Sequence, residues 1–506
     1  MAQIPFRINL GASGFPFLSE LSGRTIVVPQ LDQSAPRTEI EPVAVPCAYY
    51  MHNVIPTAQG YSSVVYQLLN LAPADTDNTF LNVFVIRDAA GNKAYLAVTT
   101  SGRNYILKTY LSGWIRTTDV APLVAGGLVT TAYVNGVTYI YYQQVGCYTY
   151  NFATNVLAVQ ALTGLTANLI FGITTSNGFL IAYGSAVVYW SSTVSVTDFT
   201  PSIITGAGGG AVQDLKGAIV TVIPHKLGFM IYSTYNIVVG IYTANIRYPF
   251  ALKEVVGSGG LANARLVDKD PVSGDHYLYG TSGVQLATSQ ITNSVFPELT
   301  DFLAGGYFED YDESTGVFTT TFLSAPMVKK ITSVADRYVV FSYGISVLTH
   351  ALIFDTALNR FGKLKFTHVD CFEYLLLGAA PVDAPRNSIG FLQADGTVKL
   401  LSMAINAPYA DGTIMFGKFQ LTRQSICDLL SVEMENVRQD ASLTVHDRAT
   451  LDGKNLSARP TGYLAQTNGL FRQYRFRSSG LNHSLEISGA FNFTSIVMYF
   501  GQGGWR

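Results

Sequence analysis

The stretch TTAYVNGVTYIYYQ, residues 130–143, decides the fold class. Two runs rich in Thr, Val, Ile and Tyr flank Asn135 and Gly136, and both of these tolerate the positive φ that a two-residue hairpin turn demands. The same design returns along the chain. Asn177 and Gly178 join residues 167–174 to 179–183, and an Ala90, Gly91, Asn92 turn joins 79–87 to 94–100. Ser282-Gly283, Thr315-Gly316 and Asp395-Gly396 sit between further runs of this kind. Hairpins therefore cover residues 78–403.

Many of these runs are apolar on both faces. In residues 137–142, Val137, Tyr139 and Tyr141 point one way while Ile140 and Tyr142 point the other. A sheet with one wet face would alternate more cleanly. Sheets stacked face to face, as in a β-propeller, cover both sides. At ~40–50 residues per blade, this stretch holds about six to eight blades. The expected organisation is an irregular N-terminal arm (1–60), a β-propeller (61–403) and a small C-terminal β-sandwich-like domain (404–506).

Composition agrees with an all-β chain. Among 506 residues there are 30 Tyr, 29 Phe and 46 Gly, which suits strands joined by tight turns. Hydrophobic residues make up 48% and charged residues 13%, against about 25% charged in an average domain, so a disordered chain is excluded. Lys+Arg 32 against Asp+Glu 34 leaves a net charge of −2. No global field draws nucleic acid or an acidic membrane. So little charge is unusual for a lone soluble protein and suits a subunit of a permanent assembly.

Mean hydropathy is +0.24, yet no run approaches the ~18 apolar residues of a transmembrane helix, so none is expected. The opening MAQIPFRINLGASG has no continuous apolar core, and a cleaved signal peptide is not expected either. Cys47, Cys147, Cys371 and Cys427 are far apart and form no CxxC pair. They read as reduced, buried thiols of a protein made in a cytoplasm.

Seven prolines, from Pro5 to Pro56, punctuate the arm. Near Ser62, Val64, Val65, Leu68 and Leu69 fit either a short helix or a strand with a turn at Asn70. A second helix is expected after Ser294, with Pro297 in its first turn and Gly305-Gly306 as its stop. In the tail, residues 429–437 read as a strand with Leu430, Val432 and Met434 inward.

Motifs with chemistry are weak. The loop 206–210 (GAGGG) lacks the Gly-Lys-Ser/Thr that a phosphate loop needs, and reads as a close-packed turn. Asp268 to Asp275 lacks the spaced ligands and terminal Glu of a calcium loop, and reads as a solvated hairpin tip. No GxSxG elbow and no HExxH pair occur. His368 and Asp370 lie two apart, which allows a dyad but more often marks a structural contact. In FRQYRFR, residues 471–477, Arg472, Tyr474 and Phe476 share one face and Phe471, Arg475 and Arg477 the other, so neither is a clean stacking platform. Glu309, Asp310, Asp312 and Glu313 read as a solvated hairpin tip and, beyond that, as the candidate lip of a channel. No catalytic, cofactor-binding or metal-binding residues are assigned, and no cofactor is expected.

Two stretches carry a family likeness. One is VVYWSS (187–192) with DFTP (198–201), the 206–210 loop and LGFMIY (227–232); the other is ALIFDTALNRFGKL (351–364) running into HVDCFEY (368–374). With DGKN (452–455) and LEISG (485–489), they resemble tail hub or nozzle proteins of short-tailed bacteriophages, over residues 130–506. The resemblance implies a β-propeller subunit of a hexameric ring in the virion tail, made in the host cytoplasm. Such a ring extends the DNA-ejection channel below the portal and head-to-tail adaptor proteins and meets tail fibre or tail tip proteins. DNA passes through without sequence-specific binding, no membrane insertion is involved, and the protein is not an enzyme. The alternative is a propeller that binds carbohydrate, or a glycosidase with two carboxylates ~5–10 Å apart.

Overall fold

The computed structural model describes residues 3–9, 26–27, 48–56, 61–63, 65–69, 71, 79–109, 112–280, 283–296, 307–312, 317–322, 328–334, 337–374, 388–402, 412–416, 419–420, 426–436, 443–448, 461–468, 471–480 and 483–502. Among these, successive hairpins form seven antiparallel four-stranded blades of a β-propeller. Blade 1 spans residues 80–116, blade 2 129–160, blade 3 172–211, blade 4 219–254 and blade 5 267–294. Blade 6 spans 328–368, and blade 7 draws three strands from 370–402. The first strand of each blade lies innermost. Those of blades 2 to 7 touch in succession, and that of blade 7 returns to that of blade 1.

The hairpin turns form where the sequence places them. Asn135 and Gly136 hold φ of 49° and 82°, and Asn177 and Gly178 hold 48° and 84°. These left-handed pairs match the twist of the flanking strands. The apolar content of both faces also finds its reason. Tyr139 and Tyr141 pack with Ile173, Leu180 and Ala182 of blade 3, whereas Ile140 and Tyr142 pack with Ile86, Leu96 and Val98 of blade 1. Each blade is the filling between its neighbours.

Blade 7 lacks a fourth strand of its own. Val65–Leu69 supplies it, pairing antiparallel with Val398–Ser402 from Leu69 opposite Val398 to Val65 opposite Ser402. Of the two readings near Ser62, the strand is the one formed, because an open sheet edge is waiting for it. Leu69 and Leu71 then enter a core with Phe80, Tyr105 and Trp114 of blade 1 and Phe372, Val398 and Leu400 of blade 7. The Trp114 indole N–H donates to Gly396 O at 2.8 Å, tying blade 1 to the last blade's hairpin.

The C-terminal region is a β-sandwich. One sheet pairs Ala48–His52, Gly412–Phe416, Leu485–Gly489 and Leu443–Asp447. The other runs Val54–Pro56, Tyr61–Ser63, Asn492–Gln502, Cys427–Asn436, Phe471–Gly480, Tyr463–Asn468, with Gln3–Asn9 also on Asn492–Gln502. Met51, Ile414, Phe416, Val432, Met434, Val445, Ile487 and Met498 fill the space between them. Strands from the N-terminal arm thus belong to this sandwich, a pairing across more than 400 residues that no local pattern records. The larger sheet is continuous with blade 6 through Lys363 opposite Val54.

Two expectations meet the structure differently. A bulge between Leu429 and Ser431 advances the phase of Cys427–Asn436, so Leu429 is fully buried and Leu430 only half. Residues 297–306, where a helix is expected, lie outside the described residues.

Replacing Leu69 by Ala removes the side chain that anchors the borrowed strand. The expected loss is about 2–5 kcal/mol of unfolding free energy, read as a lowered urea midpoint.

Candidate functional site

Seven innermost strands around an axis create one shared difficulty. Each pairs with its own blade on one side only, so its other edge carries N–H and C=O groups without a strand partner. A side chain reaches across every junction, and at most of them it meets one of these backbone groups. Thr130 Oγ1 of blade 2 accepts the Ile173 N–H of blade 3 at 2.9 Å, and Thr138 Oγ1 accepts the Arg87 N–H of blade 1 at 2.8 Å. The Tyr183 hydroxyl of blade 3 lies 3.5 Å from Thr221 Oγ1 of blade 4. His276 of blade 5 reaches two groups of blade 4, accepting a hydrogen bond from the Tyr232 hydroxyl at 2.7 Å and donating one to Pro224 O at 2.9 Å. Its tautomer is set by those two partners.

Charge takes over on the far side of the ring. Asp268 Oδ2 of blade 5 accepts the Ser333 N–H of blade 6 at 2.7 Å. Lys330 of blade 6 forms an ion pair with Asp370 of blade 7. Asp370 Oδ2 also accepts the Val83 N–H at 2.8 Å and the Asn82 amide at 3.2 Å, both from blade 1. Asp370 and Lys330 are 2% and 7% exposed, so the pair is shielded from water and Asp370 is held by protein donors. Burial pushes the Asp268 carboxyl up and the His276 imidazole down to about 3.

The sequence candidates separate once placed. His368 ends the last strand of blade 6 and Asp370 opens the first strand of blade 7. His368 bonds Ser342 Oγ at 2.9 Å and Phe366 O at 3.0 Å, and burial holds it down to about 4. It is a neutral packing contact, not half of a dyad. In the 268–275 loop the carboxylates diverge. Asp270 caps its own turn at Val272 and Ser273, while Asp275 faces Lys226 at 2.9 Å and His225 at 3.4 Å. Among the described residues, no three His, Cys, Asp or Glu converge as metal ligands do.

The glycine loop is a strand. Gly208–Ala211 forms the outer edge of blade 3, against Val187–Trp190. A Cβ on Gly208 would press on the Trp190 ring at 3.3 Å, and one on Gly209, at φ 146°, would sit 2.4 Å from Val188 O. Trp190 fills the junction with blade 4, its ring 5.6 Å from that of Phe250. Its N–H has no hydrogen-bond partner, and the Gly208 backbone lies close against the indole. In Phe471–Gly480, Arg472, Tyr474 and Phe476 face the sandwich core while Arg475 and Arg477 face outward, so the aromatics present no stacking surface. Glu309, Asp310 and Asp312 lie on the hairpin strand Tyr307–Asp312, paired with Val317–Phe322; Glu313 is outside the described residues.

A cleft of about 970 Å³ opens between blades 1 and 2, lined by Asp88, Asn92, Lys93, Lys108, Asn151 and Phe152. Its polar groups serve one another. Asp88 accepts the Asn92 amide at 2.7 Å, and Lys108 donates to Phe152 O at 2.9 Å while lying 5.4 Å from the Tyr150 ring centre.

Sequence reasoning missed one surface. Asp198 is the only Asp, Glu, Lys or Arg between Asp119 and Asp214, so blades 2 and 3 are almost without charge. The same sector exposes Val124, Tyr133, Val156, Val159, Leu169, Val194, Ile203 and Ile204, the last at 87%. A tally of charge by segment would have found it.

No family model and no curated protein matches the chain. Solved structures similar to it include the WD40 β-propeller domain of Doa1, at 11% identity and a TM-score of 0.40, covering 68% of this chain and 98% of that one. Another is the extracellular domain of a putative one component system, BT4673, from B. thetaiotaomicron, at 11% identity and a TM-score of 0.43; 90% of this chain matches 62% of that one. A third, the extracellular domain of the putative hybrid two component system BT3049 from the same organism, gives 14% identity and a TM-score of 0.37 over 69% and 42% of the two chains. No helix of the chain, among the described residues, is long and apolar enough to cross a membrane.

Two outcomes follow from the inner ring. Asp370→Ala strands the Lys330 charge and the Val83 N–H, at an expected cost of about 3–5 kcal/mol in urea unfolding. Acid should also weaken the fold. His276 and His368 have folded values below the ordinary ~6.5, so the unfolded chain binds more protons and stability falls as pH drops from there towards 4. The urea midpoint against pH should decline less steeply in a double His276→Gln, His368→Gln variant.

Proposed function

We propose that this chain is a structural, non-catalytic subunit of a homo-oligomeric ring, a tail hub or nozzle of a short-tailed bacteriophage. In that role it extends the DNA-ejection channel below the portal and adaptor, and holds tail tip or fibre proteins. The observation that carries the reading is the uncharged, apolar-studded sector of blades 2 and 3. Such a surface is costly to leave in water and suits a permanent subunit contact. The inner-ring ionisable groups support the reading too, since they are committed to holding blades together.

A conduit for DNA must let go of it. Each phosphate neutralised by protein steepens the salt dependence of binding by about 0.9 log unit, so a basic lumen would grip the genome. A net charge of −2 suits a passive channel. The lumen of the assembled ring is expected to be neutral or acidic, with Glu309, Asp310, Asp312 and Glu313 candidates for its lip.

Light scattering on the purified protein should give a closed oligomer near six times the 54.8 kDa chain, and negative-stain images should show rings with an open centre. Antibody labelling should place the protein on virion tails. A stable monomer that retains or cleaves a glycan would overturn the reading.

A further inference from the structure

Sheets that stay soluble protect their edges with charge, proline, short length or cover. Most outer strands of the propeller whose side chains are described follow this rule. Ile115–Arg116 is two residues long and carries the Arg116–Asp119 pair. Val156–Gln160 is tied at its start, where the Leu157 N–H bonds Thr118 Oγ1 at 3.0 Å and the Thr117 hydroxyl bonds Asn155 O at 2.7 Å, although Val156 and Val159 stay exposed. Phe250–Glu254 ends in Lys253 and Glu254, the latter bridged to Lys216 at 2.6 Å. Thr292–Ser294 has three residues, and Arg360–His368 is paired with the sandwich.

Gly208–Ala211 departs from the rule. It is the last strand of its sheet, its residues 209–211 are exposed, and residues 199–213 contain no charge. A side chain at Gly210 would meet nothing within 4 Å. The loop that leads into it displays Val194, Ile203 and Ile204, each more than two-thirds exposed. Another described edge shares these properties. Tyr463–Asn468 ends the large sandwich sheet and, among the described residues, pairs with Phe471–Gly480 alone. Residues 463–467 are all exposed, Tyr463 and Leu464 among them, and no charge occurs from Pro460 to Leu470.

We propose that Tyr463–Asn468 of one copy adds to the free edge of Gly208–Ala211 on a second copy, giving blade 3 a fifth strand. The contact rests on the ring reading above and specifies its interface. Main-chain hydrogen bonds supply the join, and of Tyr463 and Leu464, which point to opposite faces of their strand, one covers the apolar 193–207 loop. Neutral meets neutral, so no charge is stripped of water without a partner. A nucleic acid is a poor occupant, because residues 199–213 offer it no Lys or Arg. The two edges differ, so the contact is head-to-tail, the kind that closes a ring when the rotation permits.

Gly210→Lys and Leu464→Lys each place a charge on one edge, and both positions are open enough to leave the fold intact, checked by circular dichroism and thermal midpoint. Each variant alone should run as a 54.8 kDa monomer. Mixed in equal amounts, they retain one good edge of each kind and should form a species of twice that mass and no larger. If wild type forms rings and both variants still do, the contact is overturned while the ring reading stands. If the variants dissociate but the mixture stays monomeric, the head-to-tail pairing is overturned. Wild type that is monomeric at every concentration tested removes the ring reading and this contact together.

Discussion

The inner edge of each blade is the constraint around which the propeller is arranged. Seven strands crowd an axis with one side unpaired, and a buried N–H or C=O without a partner costs about 1–3 kcal/mol. The chain sends a side chain across each junction, hydroxyl or imidazole through blades 1 to 5 and a carboxyl group from blade 5 round to blade 1. Asp370 is the most committed of these, serving Lys330, Asn82 and Val83 at once. Its lone pairs are thereby engaged across two blade junctions.

Closure is the second demand. The ring is completed by Val65–Leu69, a segment that precedes blade 1, so opening the ring requires the loss of a whole strand. The same N-terminal region threads strands through the C-terminal sandwich, whose larger sheet runs on into blade 6. The two ends of the chain are thereby fastened to each other and to the propeller.

Charge is distributed as unevenly as hydrogen bonding is evenly. Almost all of it lies outside residues 120–213, and within that sector the apolar side chains left exposed outnumber the single carboxylate of Asp198. Asp198 itself turns back to accept the Thr200 N–H at 2.9 Å. A surface of this kind gains by being covered, which links the packing of two blades to the assembly proposed for the whole chain.

Sequence alone determined the strands and their turns. Asn135-Gly136 and Asn177-Gly178 act through their own backbone preferences, and the doubly apolar run 137–142 already implied sheets covered on both faces. Asp355 likewise acts locally, accepting the Ala357 and Leu358 N–H groups at 3.1 Å. Tertiary structure alone decided what depends on partners distant in the chain. It chose a strand over a helix at Val65–Leu69, separated His368 from Asp370 across a blade boundary, and turned the 206–210 glycines into an edge strand against Trp190. Local propensity is set within a few residues, whereas an empty sheet edge or a neighbouring ring is supplied by segments tens to hundreds of residues away, and their free energy overrides the local preference.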